Sequence, residues 1–260
     1  MIMKKVNLLF ILTLSLLLAI SACKPKEEDP NDVVLGEVTV NLDANKAVVR
    51  TQEAVVGNFV ADALKEYSES LGETVDFAVF NGGGIRFDSE GREDGIYPAG
   101  DFTVGYGEEM FPYGNTVMVV EVTGEELKTI FEHSISGLPV PEEGEEGRFL
   151  QVSKEIKVEI DLSKQVEVLN ETDEDNPIIV TPGERITSLK INGTDFDSTA
   201  TYTFATSNYI GEGGDSYVAL ANIDAAKRKD LGELCQEALK YYLEKNESVE
   251  PVIEGRIIFK

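Results

Sequence analysis

Four segments of this 260-residue chain set polar and aromatic side chains where the backbone turns, and chemistry is most plausible there. The first is Arg50-Thr-Gln-Glu53, followed by Gly57-Asn58. The second is Phe80-Asn-Gly-Gly-Gly-Ile-Arg-Phe87, the third Phe111-Pro-Tyr-Gly-Asn-Thr116, and the fourth runs from Ala205 through Tyr209 and Gly213-Gly-Asp215 to Tyr217. Three consecutive glycines let backbone approach a ligand closely and adopt dihedrals closed to other residues. Arg86 offers a planar fork suited to a phosphate or carboxylate. Tyr113 and Tyr209 present rings that stack on flat heterocycles. Asp215 is suited to accept hydrogen bonds from vicinal hydroxyls. Singly, each motif reads as an ordinary turn. Their joint occurrence at strand and helix edges points to one binding site.

The elements that must position these segments are legible as periodicity. Helical spacing covers about Ala54 to Leu71, with Val56, Phe59, Val60, Ala63, Leu64 and Tyr67 as its core face. A second helix follows Thr123, where Glu126 completes a capping box. A third is predicted after Asp224, continuing to about Glu244. Strands are predicted at Val75–Phe80, Thr116–Val122, Lys154–Leu162, Thr187–Ile191, Tyr202–Thr206 and Val252–Phe259. Strands and helices without strict alternation imply an α+β (mixed α/β) fold. The expectation is a single domain over residues 35–260, a mixed β-sheet with packed helices.

Residues 1–22 read as a leader: Lys4 and Lys5, an apolar run from Leu8 to Ile20, then small residues before Cys23. The ending Ser-Ala-Cys resembles a bacterial lipoprotein signal, which implies an exported, membrane-anchored protein with a lipidated Cys23. The anchor would lie on the periplasmic or cell-surface side. Residues 23–34 then form an acidic tether. Cys235 is left without a partner, and its helical surroundings predict a buried free thiol.

Composition excludes whole classes of function. Lys+Arg 23 against Asp+Glu 48 gives a net charge of −25, which argues against a nucleic-acid polymer as partner. One histidine, His133, excludes a His-rich metal site and a credible Ser-His-Asp arrangement. It is expected to cap or pack its helix. Two acidic stretches, around Glu142–Glu146 and from Glu167 to Asn176, lack the spacing of a calcium loop and read as solvated.

The motifs together resemble the C-terminal, substrate-binding domain of the 5′-nucleotidase family. They are Arg50…Gly57-Asn58, Asn81-Gly-Gly-Gly-Ile-Arg86, Pro112-Tyr-Gly-Asn-Thr116 and Tyr209…Gly213-Gly-Asp215. Val122-Thr-Gly-Glu-Glu-Leu127, Phe149-Leu-Gln-Val-Ser153 and Glu254-Gly-Arg-Ile257 resemble it too. The resemblance runs from about residue 35 onward. It implies that Tyr113 and Tyr209 sandwich a base and Asp215 holds ribose hydroxyls. Arg50, Asn81 and Arg86 would surround sugar and phosphate, with Gly83 and Asn115 completing the substrate-binding set. Tyrosine where many relatives carry phenylalanine keeps the stacking face and adds a hydroxyl.

The family hydrolyses phosphate esters with two metal ions held by an N-terminal domain. Motifs of the Asp-x-His, Gly-Asp-x-x-Asp and Gly-Asn-His-Glu kind are not found in this sequence. No catalytic residue, metal ligand or cofactor is therefore assigned within it. The expectation is nucleotide or nucleoside recognition beside a separately encoded metallophosphatase chain carrying the divalent metal pair. The alternative is a non-catalytic surface lipoprotein that binds the same ligands.

Overall fold

The computed structural model describes residues 30–87, 94–141, 144–170 and 177–260. The leader, Cys23, Glu142, Glu143 and residues 171–176 of the second acidic stretch lie outside them. At the centre is a five-stranded sheet in the order Arg228–Leu234, Thr116–Thr123, Thr201–Ser207, Phe77–Asn81, Leu150–Val152. Thr201–Ser207 runs parallel to Phe77–Asn81 and antiparallel to Thr116–Thr123, so the sheet is mixed.

Side chains alternate between the faces of a strand, and both faces of this sheet are buried. Ala78, Phe80, Val117, Val119 and Ala205 enter one core with the helices Val55–Ser70 and Cys235–Asn246. Phe77, Val79, Val120, Val122 and Phe204 enter the other. There they meet the helix Gly124–Ser134 and a four-stranded sheet ordered Thr194–Asp195, Ile186–Ile191, Ile156–Ile160, Ile257–Phe259. The result is a mixed α/β single domain. No helix among the described residues is long and apolar enough to cross a membrane.

Two of the helices follow their periodicity. Val55–Ser70 buries all six residues of the expected face. Gly124–Ser134 starts at a true capping box, with Thr123 and Glu126 exchanging backbone hydrogen bonds. The third differs. Residues Arg228–Leu234 form an edge strand paired with Thr116–Thr123, and helix begins only at Cys235. Gly232 at φ 72° ends any helical path, and the free edge of Thr116–Thr123 takes the preceding residues. The Val252–Phe259 strand is shorter as well, Ile257–Phe259. Pro251 lacks an N–H to pair, and the N–H groups of Glu254 and Arg256 are bonded to Glu53 instead. Cys235 is buried as a free thiol, and burial pushes its ionisation upward.

Two buried polar side chains lock the segment that carries Arg50. Gln151 donates to the carbonyls of Val49 and Gln52, each at 2.8 Å, and accepts from the Ala54 N–H. Gly57 makes room for it, since a Cβ there would lie 2.1 Å from Gln151 Oε1. Glu53 accepts from Asn58 Nδ2 and from the backbone N–H groups of Glu254, Arg256 and Ile257.

Removing that carboxylate strands several buried donors, and each unsatisfied donor costs about 1–3 kcal/mol. Glu53→Ala is expected to lower the unfolding free energy by about 3 kcal/mol or more in chemical denaturation. Glu53→Gln should recover part of the loss.

Candidate functional site

Phe77–Asn81 and Thr201–Ser207 are parallel and end at the same edge of the central sheet, where Thr116–Thr123 begins. Clefts form naturally outside the carboxyl ends of parallel strands, because chain leaving neighbouring strands diverges there. The three flanking loops carry Asn81 to Arg86, Tyr113 to Asn115, and Tyr209 to Asp215. Asn208 Oδ1 accepts the Thr116 N–H at 3.1 Å and ties two of these loops together.

The resulting cleft has a volume of about 460 Å³. It gathers Arg50, Asn81, Gly83, Arg86, Tyr113, Asn115, Tyr209 and Asp215, all eight residues singled out from the sequence. Gly84, the third glycine of the motif, lines it too, as does Gly147, which had no motif to mark it as part of the cleft. Glu53, Gly57 and Asn58, in the same run as Arg50, do not face it and serve the packing described above.

The glycines work differently from the expectation. None of Gly82, Gly83 and Gly84 has positive φ. Two of them are small because backbone crosses backbone: a Cβ on Gly82 would lie 2.1 Å from the Val49 carbonyl oxygen, and one on Gly83 would lie 2.7 Å from Gly147 Cα, while one on Gly84 would meet the Phe80 and Asn81 side chains. Gly82 N–H donates to Phe149 O and Gly83 N–H to Gly147 O, continuing the pairing of Phe77–Asn81 with Leu150–Val152 past the strand ends.

Charge is arranged in two halves. On one side Arg50 donates to the carbonyl of Glu145 at 3.0 Å, while its buried Nε has no partner. Arg86 donates to Gly83 O at 3.3 Å, with its guanidinium carbon 5.5 Å from the Tyr113 ring centre. Among the described residues neither arginine forms a salt bridge. Burial, then repulsion from Arg86, pull the ionisation of Arg50 below its ordinary value; Asp215 and Glu145 oppose them. A guanidinium stays charged through such shifts.

On the other side Asp215 is held at every polar atom. Tyr209 Oη–H donates to Oδ1 at 2.8 Å, and the same hydroxyl oxygen accepts the Asp215 N–H at 3.1 Å. Asn81 Nδ2 donates to Oδ2 at 2.8 Å. Burial and then this bond to Asp215 raise the ionisation of the Tyr209 hydroxyl. The tyrosine hydroxyl noted as an addition to the stacking face is thus a structural tie. Both rings remain available, Tyr113 at 60% exposure and Tyr209 at 44%.

His133 packs at the end of its helix, as expected, and does so with specific polar partners: the residue is 2% exposed, with Nδ1 2.7 Å from Glu167 Oε1 and Nε2 2.8 Å from the Asp215 carbonyl oxygen. Glu167, expected in a solvated stretch, is buried. The available signal was three consecutive polar residues, Glu132, His133 and Ser134, at the end of an apolar stripe.

The family model described as "5'-nucleotidase, C-terminal domain" matches residues 34–222. The trifunctional nucleotide phosphoesterase protein YfkN of Bacillus subtilis is 32% identical over 241 residues, covering 90% of this chain and 14% of that protein. Human 5′-nucleotidase is 28% identical over 238 residues, 86% of this chain and 37% of that one. The crystal structure of a 5′-nucleotidase precursor from Thermus thermophilus superposes with a TM-score of 0.71 at 27% identity. It covers 96% of this chain and 42% of its own. The chain therefore spans well under half the length of these three relatives.

The crossing at Gly83 can be tested directly. Gly83→Ala forces the Gly147 segment outward, and overpacking of this kind costs about 1–3 kcal/mol. Denaturant titration should show a loss in that range. Gly72→Ala, with open space around its Cβ but φ 89°, isolates the cost of backbone strain alone.

Proposed function

The chain belongs to the 5′-nucleotidase C-terminal domain family, and from that premise we propose that its cleft recognises nucleotides or nucleosides. One observation supports this above the others: a single cleft joins two exposed tyrosine rings, a positioned carboxylate and two arginines that form no salt bridge among the described residues. Rings stack on any base. Each oxygen of Asp215 takes one hydrogen bond from the protein and retains a lone pair, so the two together suit a ribose diol. Arg50 and Arg86 lie on the opposite side and suit a phosphate.

Hydrolysis by the family's route needs two ions held by a clustered ligand set. Among the described residues no group of three or more His, Cys, Asp or Glu side chains is placed to hold a metal. The one histidine has both ring nitrogens engaged. The metal pair does not fit these residues, and we place it in a separately encoded metallophosphatase chain that acts on the ligand held here. The same mismatch supports a second reading, a non-catalytic lipoprotein that captures nucleotides at the surface. In both readings the leader and Cys23 place the protein on a membrane after export.

Calorimetry with adenosine and its monophosphate tests the binding. Tyr209→Ala is expected to weaken both about tenfold or more, since one stacked base is worth about 1–3 kcal/mol. Wild-type protein that binds no common nucleoside or nucleotide would sink the proposal. Arg86→Ala should weaken the monophosphate far more than adenosine, and Asp215→Asn should weaken the two alike. Equal losses on Arg86→Ala would show that Arg86 does not face the phosphate. Purified alone with manganese, zinc or magnesium, the protein is expected to release no phosphate from nucleotides. Robust metal-dependent release would overturn the assignment of catalysis to another chain.

A further inference from the structure

Asp215 has φ 52° and ψ 30°, and Ser216 follows at φ 63°. Two successive non-glycine residues in left-handed backbone cost free energy and persist only where surrounding contacts over-determine them. Tyr209 and Asn81 hold the amide and carboxylate of Asp215. The carbonyl, the remaining end of the strained peptide, is held by His133 Nε2 at 2.8 Å.

Proton counting at this histidine is restrictive. A carbonyl oxygen only accepts, so Nε2 must carry a proton. Nδ1 faces Glu167 Oε1 at 2.7 Å, a contact that also needs a proton between its partners. The two groups therefore hold two protons together, one on Nε2 and one on the Glu167–Nδ1 line. With only one proton, a carboxylate at Nδ1 would draw it to that nitrogen. The bare Nε2 lone pair would then face the Asp215 carbonyl and repel it. Among the described residues Glu167 has no second option, because its buried Oε2 has no hydrogen-bond partner there.

We propose that Glu167 and His133 are a positioning pair whose second proton holds the Asp215 peptide in its ligand-ready conformation. This rests on the reading of Asp215 as a ligand-binding group, and it adds a pH dependence to that role. Neither residue touches the ligand. Around the ring stand Glu167, Asp215 and Tyr217, whose ring meets His133 edge-on at 4.6 Å. Arg148 reaches Ser136, which donates to the His133 carbonyl. Glu132, next to it on the helix, is committed to the backbone N–H groups of Arg185 and Ile186. Of these, only the Glu167–His133 pair can shed a proton by rearranging its own contact.

The sequence contains a single histidine, so untagged protein with labelled imidazole gives one set of ring-nitrogen signals. In ligand-free protein Nε2 should be protonated at the pH of tightest adenosine binding, and any loss of that proton should coincide with weaker adenosine binding. Glu167→Gln supplies an amide donor to Nδ1 and leaves a neutral ring protonated at Nε2. This variant should hold adenosine affinity flat over the pH range in which wild type declines. His133→Phe should weaken adenosine about tenfold and abolish the pH dependence. An unprotonated Nε2 at the pH of tightest binding would overturn the proposal, as would a Glu167→Gln profile that still follows wild type. Failure of wild type to bind adenosine or its monophosphate would instead remove the nucleotide reading. The nitrogen signals and their change in Glu167→Gln would still decide the proton count.

Discussion

Backbone at Gly82 and Gly83 lies so close to Val49 and Gly147 that no side chain fits between them, and the cleft takes its shape from that crossing. Val49 precedes Arg50, and a Cβ on Gly147 would lie 3.1 Å from Asp215 Oδ2. One contact therefore sets the separation of the cationic side from the carboxylate side. Interiors packed at crystal-like density pass such constraints on without slack. Gln151 reinforces the arrangement from beneath by bonding Val49, Gln52 and Ala54 at once.

Electrostatics divide the cleft into two halves within a strongly acidic protein. The net charge of −25 acts weakly at a distance, because exposed charges are screened beyond about 8 Å at physiological salt. At short range the balance reverses, with two guanidiniums on one wall. Arg50 contacts a backbone carbonyl rather than a carboxylate, so its charge is left to a ligand. Acidic groups nearby are engaged: Glu146 pairs with Arg148 at 2.8 Å, and Asp215 is surrounded by donors.

The candidate site was legible through joint occurrence: Asn81, Arg86, Tyr113 and Asp215 lie in motifs that singly read as turns, and together they stand at strand and helix edges. The three inner strands of the central sheet were legible from their β-rich runs, while its two edge strands, Arg228–Leu234 and Leu150–Val152, were not. Glu167 and His133 were not legible, being 34 residues apart in sequence and 82 from His133 to Asp215. Their significance is a pairing, which local periodicity does not carry. Arg228–Leu234 misled because a short run with leucines three apart satisfies helical spacing, while the unpaired edge that claimed it is a property of the assembled sheet. The glycine run was recognised, and the reason for it was steric crowding rather than dihedral freedom.

The Glu53 carboxylate has a consequence for the order of assembly. Its backbone partners at Glu254, Arg256 and Ile257 lie 201 to 204 residues downstream. The loop that bears Arg50 cannot reach its final setting until Glu254 to Ile257 have been synthesised. Pairings this distant carry a large closure cost and form late. A nascent chain thus has its sheet and helices available before it has a finished cleft. The stretch from Glu254 to Ile257 acts as the latch.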